Sequence, residues 1–126
     1  MRERSPRLYV VDMLRAIDKI GRFTEGLDLA SFSDSELVVD AVLRNLEVLG
    51  EAARNVPDEV RNAHPEIPWK RIVGLRNIVA HAYFGVDLEN VWKIVGENVP
   101  EVRPSVEALL AELESTERTT EGRHPA

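Results

Sequence analysis

The sequence has no cysteine, so neither a disulfide nor a thiolate metal site is available to it. Aromatic residues make up only 6% of the chain and glycine occurs seven times in 126 residues, a sparse supply for a protein of many strands and tight turns. No run approaches the ~18 apolar residues of a membrane span, and the N-terminus lacks the apolar segment of a secretory signal. No Walker, G-x-G-x-x-G or G-x-S-x-G motif occurs, and no H-x3-H or H-E-x-x-H pair. These absences set aside nucleotide-loop, dinucleotide and serine-elbow chemistry, together with zinc sites. They lead us to expect a cytoplasmic protein with no membrane segment, no metal and no cofactor.

What is present is long amphipathic helix. Apolar residues are 44% of the chain and charged residues 30%, ordinary for a globular domain that can bury a real core. Arg7–Phe23 carries Val10, Met13, Ile17 and Ile20 at bundle spacing. Ser33 and Glu36 fit a capping box for a second helix running to about Asn55, with Val39, Val42, Leu46, Leu49 and Ala53 as its seam. Gly50 inside that helix costs roughly 1 kcal/mol of propensity, which suggests close approach of another backbone, a symmetry mate being one candidate. A short helix over Pro57–Ala63 follows, then a Pro-interrupted turn in which His64 faces solvent. After the stretch beginning at Pro68, Asp87 caps a helix with Leu88, Val91, Trp92 and Val95 on one stripe. Asn98-Val99-Pro100 starts the last helix, with Pro104 either in an early turn or at a kink. The fold class expected is all-α, an up-and-down bundle of four to five helices over residues 1–115, with a disordered tail at 116–126 that contains His124.

Net charge is −6, against a generic nucleic-acid binder with a basic surface. The balance is uneven, because Arg61, Lys70, Arg71 and Arg76 face only Glu66 between Arg61 and Val86, a net of +3. A local basic strip on an acidic body can hold a few phosphates; read plainly, it is a solvated helix face.

The run Pro68–Gly85 combines both kinds of residue. Leu75, Ile78, Val79 and Ala82 give it an apolar face, while Arg76, Asn77, His81 and Tyr83 are polar. At about 100° per residue, Asn77 and His81 lie about 40° apart and Arg76 and Tyr83 about 20° apart. Arg76 and His81 are about 140° apart, so a group touching both has to sit in a cleft between this helix and a second surface. The plain alternative is a partly buried His81 bonded by Asn77, an Arg76 paired to a helix carboxylate and a packed Tyr83.

The block Pro68-Trp69-x-x-Ile72-Val73-Gly74-Leu75-Arg76-Asn77-x3-His81-x-Tyr83 resembles the signature helix of the HepT toxins of the HEPN superfamily. Leu46–Ala53 is similar to the family's corresponding second helix, and the likeness runs from about Arg7 to Ser115. The resemblance implies a HEPN-like bundle acting as a homodimer and as a metal-independent endoribonuclease. Arg76 and His81 of each copy would be catalytic and face one another across the dimer cleft; Asn77, one turn before His81, is a third catalytic candidate on chemical grounds, able to orient the imidazole or bind a phosphate oxygen. The resemblance implies also a minimal nucleotidyltransferase antitoxin of the MntA type that AMPylates Tyr83. Chemistry agrees, since imidazole titrates near neutral pH and can move the 2′-hydroxyl proton, while a guanidinium matches a phosphate. Lys70 and Arg71 are candidate RNA-binding cations. Readings that remain open are a non-catalytic helical partner that binds a nucleotide or a nucleotidyltransferase, and a purely structural helical dimer.

Overall fold

The computed structural model describes residues 4–83 and 87–122, with side chains as far as Arg118. Every element among them is helical: α1 (Pro6–Thr24), α2 (Leu29–Asp34), α3 (Glu36–Asn55), α4 (Asp58–Ala63), α5 (Trp69–Val73), α6 (Leu75–Tyr83), α7 (Leu88–Lys93) and α8 (Val99–Gly122). Four of these form the up-and-down bundle, and the side-chain pairings give their directions. Tyr9 and Asp12 of α1 share a hollow with Ala52 and Asn55 of α3, so the two helices are antiparallel. Residue 50 of α3 meets residues 72 and 76, and Glu47, a turn earlier, lines a cleft with Ala80 and Tyr83, an order that fits α6 antiparallel to α3. Helix α8 runs back along α1, with Arg103 bonded to Asp18 at 2.7 Å and Arg7 to Glu117 at 2.7 Å.

The expected seams make the core. Val10, Met13, Ile17 and Ile20 of α1 are buried against Val42, Leu46, Leu49 and Ala53 of α3 and Val106 and Leu109 of α8. The boundaries differ in instructive ways. The expected cap at Ser33 is displaced, because Asp28 and Ser31 close a capping box for the short α2 inside the presumed connector. Ser35 then caps α3 through Val38 N–H. Phe32 of α2 is fully buried with its ring 4.9 Å from that of Trp92, which tethers the connector to α7.

Two further expectations change. The stretch after Ser115 stays helical to Gly122, and Glu117 accepts from both Arg7 Nε and the Ser5 hydroxyl, linking α8 to the start of α1. Composition is poor in apolar residues there, but a helix already nucleated by Val106 and Leu109 propagates cheaply. The start at Asn98 is not a separate helix end: α7 passes through a π-helical turn, Ile94–Asn98, directly into α8. Pro100 has no N–H to give the carbonyl four residues back, and the wider turn, closed by Val99 N–H to Ile94 O, accommodates that. Pro104 lies inside α8. The expected helix stop at Gly85 and the tail histidine His124 fall outside the described residues. No helix among the described residues is long and apolar enough to cross a membrane.

Candidate active site

The run from Trp69 to Tyr83 is not one helix. It divides at Gly74, whose carbonyl accepts from Asn77 N–H at 3.1 Å in a tight three-residue turn. A Cβ on Gly74 would lie 3.3 Å from the carbonyl oxygens of both Lys70 and Arg71, so this tightening favours glycine. Upstream, Trp69 Nε1 donates to His64 O at 3.0 Å and fixes where α5 begins. His64 does not face solvent. Its side chain is only 16% exposed and lies between Glu66 (3.2 Å) and Glu112 of α8 (3.3 Å). The Glu66 carboxylate is held below its ordinary range, chiefly by its own backbone N–H and further by the His64 ring.

Helix α6 buries Leu75, Val79 and Ala82 and leaves Arg76, Asn77, Ala80, His81 and Tyr83 exposed. The polar residues thus occupy one continuous arc on an element whose other side is core. Tyr83 is 55% exposed, one of the few large rings open to water. Among the described residues, the Asn77 amide and the His81 imidazole have no hydrogen-bond partner, which removes the reading of a histidine tied by Asn77 in the core.

Arg76 does have a partner. Its Nη1 lies 3.1 Å from Glu51 Oε2, and both side chains are about half exposed. Glu51 is positioned by its own helix, where Asn55 Nδ2 donates to Glu51 O at 2.9 Å and lies 3.3 Å from Oε1. Arg54 stands 3.9 Å from the same carboxylate. The close approach foreseen at Gly50 is real, but it comes from this same chain: a Cβ there would lie 3.1 Å from Ile72 O and 3.2 Å from Arg76 Cγ. Gly50 therefore lets α5 and α6 settle onto α3 and seats the base of the arginine.

An open cleft of about 620 Å³ gathers Arg76, Asn77 and Tyr83 with Lys70, Arg54 and Glu47. Lys70 thus joins Arg76. Arg71 does not line this cleft; it lines an apolar groove with Leu49, Ile72 and Leu75, and a separate hollow with Lys70 and Arg61. His81 is exposed but outside the cleft, on the far side of Asn77 from Arg76. Within one chain the imidazole and the guanidinium flank the site without meeting. Arg54 and Glu51 were not singled out from the sequence; their only signal was their place on α3 beside the helix-interior Gly50. Among the described residues, no group of three or more His, Cys, Asp or Glu side chains could hold a metal ion.

Comparison with known proteins bears on this arrangement. The family model described as Ribonuclease HepT-like matches residues 13–109. The chain is 39% identical over 109 residues to the Methanocaldococcus jannaschii protein named "Putative RNase MJ1380", covering 86% of this chain and all of that one. It is 38% identical over 107 residues to "Probable ribonuclease HepT" of Thermococcus cleftensis, covering 85% of this chain and 97% of the relative. No solved structure matches the chain significantly.

Proposed function

The chain belongs to the HepT-like ribonuclease family, and from that membership and the face of α6 we propose that it is an endoribonuclease cutting RNA between two copies of itself. The carrying observation is that Arg76, Asn77, His81 and Tyr83 are all open to water on one arc of a helix whose opposite side is buried. Placing four such side chains on one exposed face does nothing for the core. It suits recognition of a phosphodiester.

The reaction proceeds without a metal ion. A His81 imidazole takes the proton of a ribose 2′-hydroxyl, and the 2′-oxygen bonds to the adjacent phosphorus as the bond to the 5′-oxygen breaks. A water molecule gives a proton to that leaving oxygen as it departs. Arg76 meets the charge that builds on the non-bridging oxygens with its planar fork of donors. Asn77, one turn before His81 and with no side-chain partner among the described residues, orients the ring or holds a phosphate oxygen. The separation of Arg76 and His81 by about 140° around α6 supports the homodimer, since a groove between two copies brings a guanidinium and an imidazole to one phosphate more readily than a single helix does.

The physiological partner in this reading is a nucleotidyltransferase antitoxin that transfers AMP to the Tyr83 phenol oxygen, releasing pyrophosphate from ATP. The exposure of Tyr83 and its place in the same cleft as Arg76 support that step, because an added phosphate there competes with RNA. A Tyr83→Phe protein then still cuts RNA and escapes its partner.

The test is end-labelled RNA incubated with the protein in EDTA, comparing wild type with Arg76→Ala and His81→Ala. Products with 2′,3′-cyclic phosphate and 5′-hydroxyl ends, lost in both variants, support the mechanism. Cleavage that stops in chelator, or ends bearing 5′-phosphate, refutes it. If growth arrest persists in cells expressing His81→Ala, the protein acts as a non-catalytic binding partner instead.

A further inference from the structure

The cleft beside Arg76 holds more positive charge than the reacting phosphate needs. Arg54 from the last turn of α3 and Lys70 from α5 converge there with Arg76, while Glu47 is the one carboxylate lining it among the described residues and Glu51 pairs with Arg76 at its edge. This is a concentration of cations on a protein whose net charge is −6. The two arginines are organised together, because the Glu51 carboxylate lies 3.1 Å from Arg76 and 3.9 Å from Arg54 while Asn55 steadies it from its own helix. The exposed Tyr83 ring lines the same cleft. A cationic groove with an exposed aromatic face is the arrangement that holds single-stranded nucleic acid, the charges following the backbone and the ring stacking a base.

We propose that the Arg54–Lys70–Tyr83 cleft is a subsite for the nucleotide next to the cleaved bond, Arg54 and Lys70 each holding a backbone phosphate beside it and Tyr83 stacking its base. The inference deepens the ribonuclease reading and rests on it for the identity of the strand as RNA. It assigns Arg54 a binding role, and it makes the enzyme selective for unpaired strands, whose bases are free to stack. A duplex keeps its bases stacked on one another and cannot use the tyrosine.

The experiment measures binding of a non-cleavable 2′-deoxy octanucleotide by fluorescence anisotropy over 50–200 mM salt, using the full chain. Each phosphate contact contributes about 0.7 to the slope of log affinity against log salt for a single strand. Arg54→Gln and Lys70→Gln should each flatten that slope by about 0.7 and weaken binding severalfold at low salt. Arg54→Lys should restore the slope, Tyr83→Ala should weaken binding at every salt concentration without changing the slope, and Arg22→Gln, on the last turn of α1, serves as the surface-charge control. On cleavable RNA, the gain in kcat/KM from dinucleotide to tetranucleotide should shrink in Arg54→Gln. The subsite is refuted if Arg54→Gln and Arg22→Gln behave alike, if the wild type fails to bind the octanucleotide, or if a duplex binds with equal affinity. If the octanucleotide binds as described and no RNA is cut, the nuclease reading fails while the cleft stands as a single-strand binding site.

Discussion

Gly50→Ala places a single methyl group where α3 meets the site. In an exposed helix interior this change is favourable by about 1 kcal/mol, because glycine has the larger backbone entropy to lose. Here the new Cβ would lie 3.1 Å from the Ile72 carbonyl oxygen and 3.2 Å from Arg76 Cγ. Neither is the far end of a flexible chain. The first is backbone of α5, and the second is close to the α6 backbone, so relief requires α5 and α6 to lift together. Overpacking of this kind costs about 1–3 kcal/mol, which leaves a net destabilisation of about 0–2 kcal/mol. For a chain of this size that is a fall in Tm of roughly 0–8 °C, read by thermal unfolding. The effect on cleavage should be larger in proportion. A shift of a few tenths of an ångström at Arg76 Cγ is amplified at the guanidinium, and misplacing a positioning group by about 1 Å can reduce rate about 100-fold. We expect kcat to fall at least about tenfold while the far-ultraviolet helical signal is unchanged. A Gly50→Ala protein that melts several degrees higher and cuts RNA at the wild-type rate would refute the claim that this glycine seats the arginine.

Glu51→Ala should change Tm little, since exposed ion pairs contribute about 0.2–1 kcal/mol, yet lower kcat as Arg76 loses its fixed partner, with partial recovery in Glu51→Gln. Equal losses in Glu51→Ala and Glu51→Gln would show that charge rather than orientation matters. Phe32→Ala removes a fully buried ring stacked on Trp92 and should cost about 3–5 kcal/mol, measured by urea unfolding. The Glu117 carboxylate is held below its ordinary value first by the Ser5 hydroxyl and then by Arg7, so it stabilises the α1–α8 end at neutral pH. That contribution is lost as pH falls through the lowered value, and amide exchange near the end of α8 should accelerate below about pH 4, in advance of global unfolding.

The seams were legible because burial follows spacing: Val10, Met13, Ile17 and Ile20 fall every third or fourth residue and all face inward. What spacing does not carry is the partner of each polar group. His64 reads as a turn histidine, and only folding brings Glu112 from α8 within 3.3 Å of it. Gly50 signalled a close approach without saying whose, and the tertiary packing supplies Ile72 and Arg76 of the same chain. The arc on α6 follows from a 100° step, whereas Arg54, Glu51 and Lys70 join Arg76 only because α3 runs antiparallel to α6 and α5 turns at Gly74. The helix continuing to Gly122 was hidden by composition, since its anchor is Arg7, 110 residues earlier.

Whether the imidazole and guanidinium act within one chain or across two can be decided by mixing two inactive proteins. Arg76→Ala retains His81, and His81→Ala retains Arg76. If each reacting phosphate takes its arginine from one copy and its histidine from the other, a mixed dimer has one complete site and one lacking both groups. Unfolding and refolding an equimolar mixture gives about half mixed dimers by random pairing, so about a quarter of the wild-type activity should return. If both groups serve one phosphate from the same chain, every site in every dimer lacks one of them and nothing returns. On α6 the two side chains lie about 140° apart around the helix, with Asn77 and Ala80 between them and Arg76 drawn toward Glu51 on α3. That spacing is wide for one phosphate on one helix and suitable for a groove between two. A refolded mixture as inactive as its parents, from chains shown to pair, would place the reaction on a single protomer and remove the reason for a second copy.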